Sequence, residues 1–77
     1  MTSENIYKVI ELVGTSPDSV EKAIENAISR ASRTLQHLDW FEVKEIRGYI
    51  KDGQVGWYQV KLELGFRVLD PEELSRD

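Results

Sequence analysis

The stretch YQVKLELGFRV, residues 58–68, decides the fold because its side chains alternate in polarity along its whole length. Successive residues of an extended chain point to opposite faces of a sheet, so this period of two predicts a half-buried β-strand. The apolar face consists of Tyr58, Val60, Leu62, Leu64, Phe66 and Val68, and the other face of Gln59, Lys61, Glu63, Gly65 and Arg67. Just upstream, KDGQ at residues 51–54 supplies the Asp-Gly pair of a tight hairpin.

The hairpin leads back to a second strand in DWFEVKEIRGYI, residues 39–50, whose pattern is irregular. Its apolar residues change from odd to even positions along the strand, namely Phe41, Val43, Ile46 and Ile50. A β-bulge near Lys44 and Glu45 would keep all four on the core face and point Trp40 and Arg47 away from it. The alternative without a bulge buries Ile46 and Ile50 in a subunit contact and turns Arg47 toward the helix.

The first half of the chain predicts a strand followed by a helix. Residues 6–13, IYKVIELV, are rich in β-branched and aromatic residues and stop at a glycine, as a strand does. Ser16 then suits a helix N-cap and Pro17 the first helical position. Apolar residues recur at helical spacing, namely Val20, Ala23, Ile24, Ala27, Ile28, Ala31, Leu35 and Leu38. We expect a helix of about five or six turns that ends near His37 and Asp39.

These elements predict an α+β fold of β-α-β-β order, with a three-stranded antiparallel sheet wrapped around one long helix. Because the first two strands would be parallel, the third fits between them, in the order 1-3-2. We expect one domain over residues 1–69 and a frayed acidic tail over residues 70–77. One helix covers one face of such a sheet. The other face carries a mixture typical of interfaces or ligand sites, namely Trp40, Arg47, Trp57, Gln59, Lys61, Glu63 and Arg67.

Size and charge narrow the classes of function. A chain of 77 residues without cysteine and with a single histidine lacks disulfides and an evident zinc site, which leaves self-association as the expected reinforcement. Its net charge of −4 argues against nucleic acid as the main partner. No apolar segment resembles a signal peptide or a membrane span, so we expect a cytoplasmic protein without a membrane partner.

The sequence offers few side chains suited to catalysis, so we expect that the protein is not an enzyme. There is no cysteine nucleophile, and His37 is best interpreted as a helix-end residue. The carboxylates of EVKE, residues 42–45, are typical of a solvated strand face. The run GTS, residues 14–16, lacks the glycine pattern and lysine of a phosphate-binding loop.

Trp40 is the candidate binding residue, and two interpretations compete. It is either a strand-end aromatic buried in the core or a subunit contact, or a stacking platform for a planar ligand. Gln59 favours the second, because its amide both donates and accepts and suits the edge of a heterocycle. Arg47 and Arg67 lie on the same predicted face and suit phosphate.

Four runs occur in this order along the sequence: YKVIELVGTSP, AIENAISRASRTL, LDWFEVKEIRG and YQVKLELGF. With them the sequence resembles the dodecins, small flavin-binding proteins that assemble into hollow dodecamers. The resemblance covers about residues 5–68, and the segments VGTSP and LDWFEV within these runs together make it specific. It implies the strand, helix and two strands already predicted, and a helix-free face that looks into the assembly.

The resemblance also implies roles for individual residues. Trp40 matches the family tryptophan that stacks on the isoalloxazine ring, and Gln59 the glutamine that binds its pyrimidine edge. Arg47 and Arg67 match basic positions assigned to the phosphate of flavin mononucleotide (FMN). Trp40 and Arg47 lie some 20 Å apart along one strand, so one flavin could need an arginine from a neighbour. Some bacterial members also bind coenzyme A, for which the basic candidates are Lys8, Arg30 and Arg33.

The implied function is flavin storage and sequestration in a homododecamer, with quenching of flavin photochemistry. The family places two flavins near a two-fold axis, between tryptophans of adjacent subunits. The cofactor would be FMN, with riboflavin or FAD as variants. Two other classes stay open: a purely structural or interaction oligomer, and a flavin-dependent enzyme subunit.

Overall fold

The computed structural model describes residues 5–69, which form three strands and one helix. The elements are strand β1 (Ile6–Ser16), helix α1 (Val20–Ala31), strand β2 (Leu38–Lys51) and strand β3 (Gln54–Val68). Strand β3 lies in the middle of the sheet and runs antiparallel to both β1 and β2. The predicted β-α-β-β order and the strand order 1-3-2 are therefore confirmed. The predicted tail at residues 70–77 lies outside the described residues.

The core forms where the apolar face of β3 meets one side of α1. Its buried members are Val60, Leu62 and Leu64 from the strand and Ala23, Ala27 and Ala31 from the helix. Alanines leave the helix surface flat, so the helix backbone can approach the sheet closely. At Gly14 of β1, a Cβ atom would collide with the carbonyl oxygen of Ala23 and lie 2.9 Å from the Cβ of Ala27. This glycine is what lets the helix pack directly on β1.

The start of the helix differs from the prediction. Strand β1 continues to Ser16, whose side-chain oxygen accepts a hydrogen bond from the Asp18 amide at 2.9 Å. The N-cap is Ser19, which accepts from the Lys22 amide at 3.0 Å. The assignment of Ser16 to the N-cap and of Pro17 to the first helical position was wrong. Both serines favour a local bond to a following amide, and the sequence could not distinguish the turn from the cap.

The helix also ends earlier than predicted, after 12 residues or about three turns. The Ser32 hydroxyl donates to the Ile28 carbonyl at 2.8 Å, and His37 adopts a left-handed φ of 66° that turns the chain toward β2. Leu35 and Leu38 still pack against the core, but from the turn and from β2. Apolar spacing therefore continued past the end of the helix, and the five or six turns ending at His37 and Asp39 were wrong.

The predicted bulge in β2 is present. Its register against β3 shifts between Val43 and Glu45, so Val43 lies opposite Leu62 and Ile46 opposite Val60 on the same face. Two further shifts, which the pattern did not predict, lie between Leu38 and Trp40 and between Tyr49 and Ile50. The predicted hairpin is also present, because Lys51 pairs with Gln54 around two residues of positive φ.

The sheet is much longer than the helix that covers it. The molecule measures 57 × 20 × 14 Å, whereas a 12-residue helix spans about 18 Å. Of the four apolar residues expected against the core, only Val43 packs on it, while Phe41, Ile46 and Ile50 are 49%, 59% and 84% exposed. The fold thus leaves an apolar surface beyond the helix. Within residues 5–69, no helix is long and apolar enough to cross a membrane.

Candidate functional site

The face of the sheet opposite α1 carries all four predicted cofactor residues. Residues paired across antiparallel strands point to the same face. The pairs are Trp40 with Gly65, Arg47 with Gln59, and Tyr7 with Arg67. Gly65, Gln59 and Arg67 alternate with the buried apolar residues of β3, so these pairs lie on the helix-free face.

Trp40 lies across the central strand at Gly65, the one residue of β3 on this face that has no side chain. A Cβ atom at Gly65 would collide with ring atoms Cε2 and Cζ2 of Trp40 and lie 2.7 Å from its Cδ2. Because Gly65 has no side chain, the indole can rest directly on the backbone of β3. Trp40 is 39% exposed, so the indole is supported from below and open above. The interpretation of Trp40 as a core residue under the helix does not fit this geometry.

A tyrosine from the far edge strand completes the surroundings of the indole. The ring of Tyr7 meets Trp40 edge-on, with centroids 6.1 Å apart and an interplanar angle of 60°. Its hydroxyl donates a hydrogen bond of 2.8 Å to Oδ2 of Asp39. That hydrogen bond to the carboxylate, with lesser help from desolvation, raises the pKa of Tyr7 above its usual value. We call Trp40, Gly65, Tyr7, Asp39 and Arg67 the indole cluster.

The second group surrounds Gln59 at the other end of the face. Arg47 lies directly opposite Gln59, and its guanidinium donates to Oε1 of Glu45 at 2.7 Å. This hydrogen bond, followed by attraction from Lys61, lowers the pKa of the Glu45 carboxyl. With Val13, these residues line a shallow depression of about 200 Å³. We call Gln59, Arg47, Glu45 and Lys61 the amide cluster.

The structure separates the two clusters along β3. From Gly65, beneath the indole, to Gln59 is six residues, or about 20 Å at the rise of an extended strand. Arg67 lies at the indole end and Arg47 at the amide end, so the two arginines are not brought together within one chain. The backbone positions of Gln59 and of the indole platform are therefore farther apart than the length of one planar ring system.

Sequence reasoning missed three residues of the indole cluster. Gly65 was placed on the helix-free face without a role, although an isolated glycine inside a strand is a recognised sign of close approach by another group. Tyr7 was assigned only to the strand pattern. Asp39 was taken as a helix-end residue, whereas it lies in β2 next to Trp40. No local pattern links Tyr7 to Asp39, because only the sheet brings these distant residues together.

The three residues predicted to contact coenzyme A lie on separate elements. Lys8 is exposed in β1, opposite Phe66. Arg30 lines a groove between α1 and β1 with Thr15 and Asn26. Arg33 lies in the turn that follows α1, where its amide donates to the Arg30 carbonyl at 3.2 Å. No cluster of three or more histidine, cysteine, aspartate or glutamate residues suited to a metal occurs in the described part of the chain.

A second aromatic pair lies near the hairpin, away from the indole cluster. Trp57 pairs with Tyr49 across the strands, and their rings meet edge-on at 5.1 Å and 77°. Trp57 is 49% exposed. The chain thus contains two tryptophans on the same face with similar exposure and a similar tyrosine neighbour. This second pair provides a matched internal control for the first.

Comparison with known proteins gives concordant matches. The family model described as Dodecin matches residues 6–69. A protein named Dodecin from Thermus thermophilus is 60% identical over 63 residues, which cover 82% of this chain and 91% of that protein. The solved structure of dodecin from Streptomyces coelicolor superposes with a TM-score of 0.82 at 56% identity, covering 90% of this chain and 99% of that one. Calcium dodecin from Mycobacterium tuberculosis is 33% identical over 64 residues, which cover 83% of this chain and 90% of that protein.

Proposed function

The chain belongs to the dodecin family, and from that premise we propose that it binds and stores flavin and quenches flavin photochemistry. The ligand is FMN, or riboflavin or FAD, which share the isoalloxazine ring. The protein acts as a carrier rather than an enzyme, and it works as a homo-oligomer, which the family resemblance implies to be a dodecamer.

The observation that carries the proposal is the placement of Trp40. Its indole rests on Gly65, where a Cβ atom would collide with the ring, and the residue is 39% exposed. Such a platform favours an extended planar ring system, because aromatic stacking and the exclusion of water contribute about 1–3 kcal/mol per contact. An electron-rich indole stacked on an excited flavin can also donate an electron and take it back, which quenches the flavin.

In our proposal, a second copy of the chain bridges the distance between the two clusters. Gln59 lies about 20 Å along β3 from the indole platform, which is farther than three fused rings extend. In our proposal, the amide of Gln59 reaches the pyrimidine edge of a flavin that stacks on the Trp40 of another subunit. A two-fold axis then gives two equivalent sites and a two-sided aromatic clamp from one tryptophan per chain.

The uncovered apolar surface supports self-association. Phe41 and Ile46 lie on the helix side of β2, opposite buried residues of β3, yet about half of each side chain is exposed. Ile50 and Val55 near the hairpin are also exposed. Large apolar side chains clustered beyond a short helix are typical of surfaces that bury one another in an oligomer.

The two arginines keep a proposed role at the flavin phosphate, but from different places. Arg67 lies beside the indole cluster, opposite Tyr7. Arg47 lies beside Gln59 and is held by Glu45, so a phosphate near it would have to compete with that carboxylate. Coenzyme A remains a proposed second ligand, with Lys8, Arg30 and Arg33 as its contacts. Guanidinium and ammonium groups are the side chains that bind its phosphates.

Titration with FMN tests the proposal, using flavin fluorescence as the signal. We expect the parent protein to bind FMN with strong quenching, and Trp40→Ala to raise Kd by about 5- to 150-fold, the equivalent of one lost stacking contact. The control is Trp57→Ala, which removes the other half-exposed indole from the same face and should leave Kd and quenching near parental values. Light scattering on each variant verifies that the oligomer is intact. Equal losses in both variants, or none in Trp40→Ala, would refute the stacking role.

A further inference from the structure

We propose that Tyr7 is a positioning residue for the Trp40 indole. Its hydrogen bond to Asp39 and its edge contact hold the indole flat over Gly65, in the orientation that stacks on a planar ligand. The effect of this positioning on flavin affinity rests on the proposed function. The position of the indole itself can be measured without any flavin.

Asp39 is the extra residue of a bulge, and this makes its anchoring important. Leu38 lies opposite Phe66 and Trp40 opposite Gly65, so Asp39 has no partner in β3. A bulge redirects the neighbouring side chains, and here it immediately precedes the indole. Because no residue of β3 pairs with Asp39, we infer that another contact fixes the backbone direction just before Trp40.

Tyr7 supplies that contact from across the sheet. It lies in β1 and Asp39 in β2, two edge strands separated by β3, so the phenol bridges about 9–10 Å. The indole of Trp40 fills the space over Gly65, and the ring of Tyr7 lies beside the indole. The hydroxyl reaches Oδ2 of Asp39 at 2.8 Å, an ordinary length for an O–H···O hydrogen bond.

The same side chain also limits rotation of the indole directly. Tyr7 presents its ring to Trp40 at a centroid distance of 6.1 Å and an angle of 60°, within the preferred edge-to-face range. The backbone at Gly65 supports one face of the indole, and the ring of Tyr7 lies against its side. The hydroxyl of Tyr7 is hydrogen-bonded to Asp39, the residue before Trp40. A ligand that stacks on this indole does not have to order it first, which is how preorganisation increases affinity.

The test uses Tyr7→Phe, which keeps the ring and removes only the hydroxyl. Asp39→Ala removes the acceptor, the double variant removes both, and Asp39→Asn restores an acceptor oxygen without the charge. Tyr49→Phe is the matched control, because it removes the same hydroxyl from a tyrosine on the same face that pairs with position 57 rather than with Trp40. All variants are made with Trp57→Phe, so that Trp40 is the single indole and its fluorescence anisotropy decay reports its own motion.

In flavin-free protein we expect faster local motion of Trp40 in Tyr7→Phe and Asp39→Ala, parental motion in Tyr49→Phe, and recovery in Asp39→Asn. In FMN titrations, Kd should rise by about two- to tenfold in Tyr7→Phe, as expected for ordering one side chain on binding. The Kd of the double variant should not exceed the higher of the two single-variant Kd values, because both substitutions remove the same hydrogen bond.

Unchanged Trp40 motion in Tyr7→Phe would overturn the inference, whatever its FMN affinity or thermal stability. Increased motion with an unchanged Kd would overturn the role in binding. If the parent itself fails to bind FMN while Tyr7→Phe still mobilises Trp40, the proposed function fails and the positioning of the indole is supported.

Discussion

Replacement of Gly65 by alanine tests the geometry of the indole platform with a single methyl group. In most strand interiors this change is harmless or stabilises by about 0.5–1 kcal/mol, because glycine loses more backbone entropy on folding. Here the added Cβ would collide with Cε2 and Cζ2 of Trp40 and lie 2.7 Å from its Cδ2. All three are ring carbons of a rigid side chain, so the indole has to leave its place as a whole.

The expected loss appears mainly in ligand affinity rather than in folding. Overpacking in a closed core costs about 1–3 kcal/mol, but this indole is 39% exposed and can swing outward. We expect Gly65→Ala to fold and assemble. Its FMN Kd should rise by about 5- to 150-fold, as if the stacking contact had been removed, and flavin quenching should weaken in parallel.

The control and the refuting result follow from the same strand. At Gly56 of β3 the nearest atoms to an added Cβ lie at 3.4 Å, so Gly56→Ala should bind FMN like the parent. In a Trp40→Ala background, Gly65→Ala should have no further effect, because there is no indole left to displace. If Gly65→Ala bound and quenched FMN as the parent does, the platform described for Trp40 would be wrong.

Three further predictions concern groups around the two clusters and the core. The raised pKa of Tyr7 means that its hydrogen bond to Asp39 is fully formed below about pH 10 and is lost as pH rises through the folded-state pKa. Phenolate absorbance should detect this titration above the usual range of tyrosine. In Asp39→Asn, the pKa of Tyr7 should return toward that range. The lowered pKa of Glu45 means that its ion pair with Arg47 stabilises the folded protein above about pH 4.5 and is lost as pH falls through the folded-state pKa. In Arg47→Ala, NMR titration should show that the pKa of the Glu45 carboxyl rises toward its usual value. An unchanged pKa in this variant would contradict the assignment. Gly14→Ala should destabilise by about 1–3 kcal/mol in urea unfolding at fixed protein concentration, because helix backbone blocks the added Cβ, whereas Gly56→Ala should unfold near the parental midpoint.

Strand β3 and the hairpin were predictable because their signals are local. Alternation over residues 58–68 identified the buried face, and Asp-Gly identified the two-residue turn. The bulge near Glu45 was also predictable, since a change of phase in the apolar pattern of β2 leaves few alternatives. These features depend on spacing within one strand or one turn, which the sequence displays directly.

The helix ends were not predictable to the same degree. Leu35 and Leu38 continue the helical spacing, but the chain leaves the helix after 12 residues and still delivers both side chains to the core. Ser16 and Ser19 are both able to accept a hydrogen bond from a following amide, and only the sheet pairing of β1 decides which one caps the helix. Tertiary contacts overrode local preference at both ends.

For the candidate site, the sequence by itself determined which residue types face away from the helix, including Trp40, Gln59 and both arginines. Only the tertiary structure decided how they are grouped. The extended strand puts Gln59 about 20 Å from the indole, and the sheet brings Tyr7 and Gly65 to it instead. The physical reason is that side-chain direction follows from local periodicity, whereas proximity across strands depends on register, and register is fixed by the whole sheet.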